Sequence, residues 1–134
     1  MKKNTIVFDL DGTLLDSLED IFICVNYALC KQNLPSRTKD EVRSFLVNGY
    51  HYLIAHAVPP HTTSLITEQV LDNFRAYYQI HCQDETKPYD GIAEMLDALR
   101  DNGYKMAIVS NKGDEAVKQL AARFFSPWIK IAVG

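Results

Sequence analysis

Two aspartates one residue apart, Asp9 and Asp11, stand directly behind an apolar run in the segment Ile6-Val-Phe-Asp-Leu-Asp-Gly-Thr-Leu-Leu-Asp-Ser17. Side chains alternate along an extended backbone, so both carboxylates can point one way while Leu10 turns back into the protein. Carboxylates held that close repel each other unless a cation or a shared proton lies between them. The pair therefore points to a hard divalent cation bound through oxygen. Mg2+ suits it best, because that ion takes few protein carboxylates and fills its shell with water and phosphate. Gly12 gives the backbone freedom to turn immediately afterwards. An ordinary Asp-Gly turn, with Asp16 or Ser17 capping the next helix, would explain the dipeptide alone. It does not explain the whole string D-x-D-G-T behind a strand.

A second constellation repeats the logic. Met106-Ala-Ile-Val is an apolar run that ends in Ser110-Asn111-Lys112. Small polar residues at the carboxyl end of a buried strand lie where open parallel sheets bind their ligands. The Ser110 hydroxyl, the Asn111 amide and neighbouring backbone N–H groups can hold phosphate oxygens. The following helix adds its positive N-terminal end, and Lys112 adds a charge. Taken alone, the tripeptide is also an ordinary polar loop with a solvated lysine.

Asp-Leu-Asp-Gly-Thr-Leu-Leu-Asp-Ser, spanning residues 9–17, resembles the first motif of the haloacid dehalogenase superfamily, in particular its phosphoglycolate phosphatase-like and beta-phosphoglucomutase-like branch. Ser110 and Asn111 resemble that family's second motif. The resemblance implies that Asp9 is the nucleophile that takes a phosphoryl group. It implies that Asp11 is the general acid, that Thr13 helps hold phosphate, and that Mg2+ rests on Asp9 and Asp11. Val47-Asn48-Gly49-Tyr50 lies where this branch has a Gly-Asn-Gly-like turn, and His56 falls where it often has Arg, a stronger anion hook.

Four helices are expected between these two constellations and no strand: Ser17 to about Asn33, Thr38–Phe45, Tyr50–Ala57 and Thr63–Ile80. Leu18, Ile21, Phe22, Val25 and Leu29 share one face of the first, which Ser17 can cap. Leu65, Val70, Phe74 and Tyr77 or Tyr78 are the inward residues of the fourth. Asp90 is placed to cap a further helix whose apolar face is Ile92, Met95, Leu96 and Leu99. Gly103 sits where a left-handed C-terminal residue is wanted. Strands at Tyr104–Val109 and Ile129–Val133 then bracket a helix at Asp114–Phe124. This order demands parallel strands joined by crossover helices. The predicted fold is α/β: a Rossmann-like core of three parallel strands from residues 1–16 and 84–134, with an all-helical insertion, residues 17–83, that in the resembled family is a cap over the site.

The 134 residues suffice for a real core, and 47% hydrophobic with 23% charged residues is an ordinary globular balance. A net charge of −3 gives no support to nucleic-acid binding, and no apolar run has membrane-spanning length. Cys24, Cys30 and Cys82 lack C-x-x-C spacing and read as reduced thiols, which points to the cytoplasm. His51, His56 and His61 read as surface or half-buried histidines. The resemblance further implies a later lysine and a later acidic motif beyond Ile131-Ala-Val-Gly134, so the sequence reads as a C-terminally truncated member with three of the family's strands. The expected function is Mg2+-dependent hydrolysis of a small phosphorylated metabolite, impaired by the missing segments, with metal held weakly. The rivals are a non-catalytic phosphate- or protein-binding module and a sugar-phosphate mutase. Ile6–Phe8 is expected to line an open sheet edge, through which the chain self-associates or which leaves it poorly soluble.

Overall fold

The computed structural model describes residues 4–134. In chain order the elements are β1 (Thr5–Phe8), β2 (Leu15–Asp16), α1 (Leu18–Lys31), α2 (Lys39–Phe45), α3 (Gly49–Ala57), α4 (Ser64–His81), β3 (Lys87–Pro88), α5 (Ile92–Asp101), β4 (Lys105–Val109), α6 (Asp114–Phe124) and β5 (Ile131–Val133). They form two compact units, one of the segments ending at Ser17 and running Thr86–Gly134, the other Leu18–Glu85.

The first unit is built on a parallel sheet in the order β1-β4-β5. Phe8 pairs with Ile108, and Ala107 with Ile131. The side chains of Val7, Val109, Ile131 and Val133 are between 39% and 62% exposed, whereas Met106 and Ile108 are buried. Paired residues point to the same face, so one face of the sheet carries the covered apolar set and the other an open one. β1 is the outer strand of the described sheet, as the open edge expected for Ile6–Phe8 requires, but none of its residues is buried and Val7 is 60% exposed, so the run is not the buried strand its apolar character suggests. Helix α6 packs beside β5 and buries Ala116, Val117, Leu120 and Ala121. On α5 only Leu96 is fully buried. Met95 stays 37% exposed, so the predicted four-residue face is incompletely covered.

A second, two-stranded antiparallel ribbon joins Leu15 to Pro88 and Asp16 to Lys87. It was not expected from the sequence. Asp90 does not cap α5. Gly91 holds that position at φ 86°, a left-handed conformation that a residue with a Cβ resists. Gly103, at φ 82°, closes the same helix as predicted, with Tyr104 N donating to Leu99 O at 3.0 Å.

The helical unit buries Ile21, Cys24, Val25, Ala28 and Leu29 of α1, and α1 packs chiefly on α4. Thr38 and Glu41 form a reciprocal capping box at α2, and the Thr63 hydroxyl caps α4. Phe74 lies edge-on to Tyr50 at 4.8 Å and stacked on Tyr78 at 5.6 Å, all three buried. Leu65, expected inside, is 70% exposed. The Asp20 carboxylate accepts the Glu85 backbone N–H through both oxygens, at 3.0 and 2.9 Å, and so ties the first turn of α1 to the last residue of this unit. Among the described residues no helix is long and apolar enough to cross a membrane.

Candidate active site

Parallel pairing of β1 with β4 brings the loops that follow them side by side, because Phe8 is level with Ile108. Asp9 and Ser110 thus lie just past the carboxyl ends of adjacent strands, where ligand sites form in such sheets. The residues between Leu10 and Leu15 are fixed by a knot of backbone bonds. Leu10 O accepts the N–H groups of Thr13, Leu14 and Leu15 at 3.3, 3.0 and 3.0 Å, and Gly12 N donates to Leu15 O at 3.0 Å. Leu10, Leu14 and Leu15 are fully buried and anchor this loop from below. Gly12 has φ 76° with no atom within 4 Å of where a Cβ would stand, so the turn needs glycine for its backbone angle and not for space.

The buried Leu10 leaves its neighbours outward: Asp9 is exposed and Asp11 half-buried. Asp9 Oδ1 accepts the Leu10 N–H at 2.8 Å, which orients the carboxylate while leaving it accessible. Asp11 Oδ1 lies 2.7 Å from Lys112 Nζ and accepts the Ser17 hydroxyl at 2.5 Å. The Lys112 side chain has no exposed surface, against 24% for that of Asp11. Ser17, read from sequence as the cap of α1, is therefore engaged with Asp11. Lys112, read as a charge for phosphate, has its ammonium in this ion pair. Its backbone N–H donates to Ser110 Oγ at 3.1 Å, and Ser110 N to Val133 O at 3.0 Å, which binds the loop to β5. Thr13 and Asn111 are exposed at the two loops. The contact of Ser17 with Asp11 carried no sequence signal beyond the polar character of both residues.

The donors here are hard oxygens of the kind Mg2+ takes, with the exposed Asp9 carboxylate the most available. Among the described residues no three His, Cys, Asp or Glu side chains converge on a common point. Such a set fits Mg2+ held by one or two protein oxygens with the rest of its octahedral shell supplied by water and a phosphate oxygen. The likeness of the residues to a known chemistry is matched in whole-chain comparisons. A sequence model described as haloacid dehalogenase-like hydrolase matches residues 6–125. A phosphoglycolate phosphatase of Haemophilus influenzae (strain 86-028NP) is 36% identical over 126 residues, covering 89% of this chain and 56% of that protein. An N-acetylmuramic acid 6-phosphate phosphatase of Pseudomonas aeruginosa is 34% identical over 113 residues, covering 84% of this chain and 50% of that protein. The crystal structure of a predicted phosphoglycolate phosphatase from Haemophilus somnus 129pt superposes with a TM-score of 0.90 at 29% identity, over 98% of this chain and 62% of that one. The chain thus spans about half the length of the curated relatives it matches.

Proposed function

The chain belongs to the haloacid dehalogenase-like hydrolases, and from that premise we propose that it carries the nucleophile half of a phosphatase site acting on a small phosphomonoester of the phosphoglycolate kind. The observation that carries this reading is the exposed Asp9 carboxylate, set at the end of β1 on a loop fixed by three buried leucines. An Asp9 oxygen attacks phosphorus, the bond from phosphorus to the leaving oxygen breaks, and Asp11 gives that oxygen its proton. Water then attacks the phosphorus of the aspartyl-phosphate, Asp11 takes the water's proton, and orthophosphate leaves with Asp9 restored. Ser110, Asn111 and Thr13 hold the phosphate oxygens. Mg2+, held by Asp9 and the backbone carbonyl of Asp11, would offset the charge of the transferring phosphoryl group. Relatives named for phosphoglycolate and for N-acetylmuramic acid 6-phosphate support the substrate class. The exposed Cys30 thiol suits a reducing cytoplasm.

The test is phosphate release from 2-phosphoglycolate and from p-nitrophenyl phosphate with Mg2+, beside Asp9→Asn. Release that the substitution abolishes, with a mass gain of one phosphoryl group on the Asp9 peptide, supports the reading. Release unchanged in Asp9→Asn overturns it. The open sheet face of Val7, Val109, Ile131 and Val133, together with the outer edge of β1, supports a second proposal: two copies associate through this surface. Light scattering over a concentration series decides it, and a monomer at high concentration refutes it.

A further inference from the structure

We infer that Lys112 is a positioning residue that selects which oxygen of Asp11 meets the reacting group, and not a phosphate anchor; the inference rests on the reading of Asp11 as the proton-transferring residue. A lysine that greets phosphate keeps its ammonium in reach of solvent. Lys112 does the opposite: its side chain is wholly buried and its Nζ lies 2.7 Å from Asp11 Oδ1. An ammonium taken out of water requires an opposite charge at this distance. The Ser17 hydroxyl reaches the same oxygen at 2.5 Å from another part of the chain. Among the described residues both donors to the Asp11 carboxylate therefore fall on Oδ1. Rotation of the carboxylate is blocked from two sides, and Oδ2 remains the oxygen that gives and takes the proton. The lysine can impose this because its own loop is held, through Ser110 Oγ at 3.1 Å and Val133 O at 3.0 Å. Asn111, exposed between Ser110 and Lys112, is left as the side chain of this loop that faces incoming phosphate.

The experiment compares the parent chain with Lys112→Met, Asp11→Asn, the double variant and Ser17→Ala. In urea titrations the folding constant of the double variant should exceed that expected from independent losses by about tenfold or more, the signature of a coupled pair. The 13Cγ resonance of Asp11 should move in Lys112→Met while that of Asp9 stays. With p-nitrophenyl phosphate and Mg2+, kcat should fall at least about tenfold in Lys112→Met with KM within about twofold, as for a group that acts only on the transition state. Ser17→Ala, which leaves the ion pair intact, should lower kcat severalfold, again with KM unchanged, and it carries the test if Lys112→Met does not fold. A rise in KM with kcat intact would make Lys112 a phosphate anchor and overturn the inference. So would a coupling below about twofold, or an Asp11 resonance that ignores Lys112. If the parent shows no turnover, the phosphatase reading of this chain fails by itself, and the coupling and the resonance still decide the role of Lys112.

Discussion

Replacing Asp20 by Ala should destabilise the protein by about 2–3 kcal/mol. Asp20 is 2% exposed, and its two oxygens share the Glu85 backbone N–H at 3.0 and 2.9 Å. A hydrogen bond to a charged group contributes about 1.5–3 kcal/mol, and a carboxylate in the first turn of a helix adds about 0.3–1 kcal/mol from the dipole. The upper ends of these ranges are not expected together, because the Glu85 side chain is exposed and water can reach part of the vacated site. For a small protein with a urea m-value of about 1–2 kcal/mol per molar, the midpoint should drop by about 1–3 M. Asp20→Asn preserves the shape and one acceptor oxygen, so it should lose roughly half as much. Amide exchange offers an independent reading: the Glu85 N–H should be protected in the parent and should lose that protection in Asp20→Ala. A midpoint within about 0.3 M of the parent, or an Asn variant less stable than the Ala variant, would refute the reasoning.

Gly12→Ala should cost about 1–2 kcal/mol in urea unfolding, because φ 76° is a left-handed conformation and the surrounding space is open. Phe74→Leu should cost about 1–3 kcal/mol and weaken the near-ultraviolet circular dichroism, since it removes ring pairings to Tyr50 and Tyr78 while keeping most of the volume. The Thr38 backbone N–H, and after it the Arg37 guanidinium, hold the Glu41 carboxyl below the usual carboxylate range. A carboxyl lowered on folding stabilises above its ordinary value and ceases to do so as pH falls through its folded value. Acid titration of helicity should therefore be shallower in Glu41→Gln below about pH 4.5, and an identical acid limb would contradict the capping box.

The parts of this fold that could be read in advance are those whose cause is local. Helix α6 runs over the predicted Asp114–Phe124, where an acidic first turn and apolar spacing act within one helix. Gly103 takes the left-handed angle its position suggested. Leu10 turns inward and Asp9 stays exposed, as the string suggested, but Asp11 is half-buried and turned to the buried Lys112. What escaped depends on distant partners. The ribbon of Leu15–Asp16 with Lys87–Pro88 is two residues wide, too short for any periodicity. Leu65 satisfied helical spacing, yet burial depends on what stands opposite, and it is 70% exposed. Ser17 looked like a helix cap because serine before a helix commonly is one; its true contact required knowing where Asp11 turns. Lys112 likewise offered a charge, and only the fold shows that the charge is already met.

The pairing of β1 with β4 has a consequence in time. Phe8 and Ile108 lie about 100 residues apart, and at about 5–20 residues per second the ribosome leaves β1 without its neighbour for some 5–20 s. The helices between can pack sooner, because α1 meets its partner α4 before β4 has been made. Once they have folded, the bond from Asp20 to Glu85 holds the two ends of residues 18–85 together, and the span that β1 must close shrinks to roughly 30 residues. The entropic penalty of closure falls by about 1 kcal/mol. The insertion that divides the sheet in sequence thus also works as a splint for its assembly, and a nascent chain arrested before β4 should present folded helices beside an extended, protease-sensitive N-terminus.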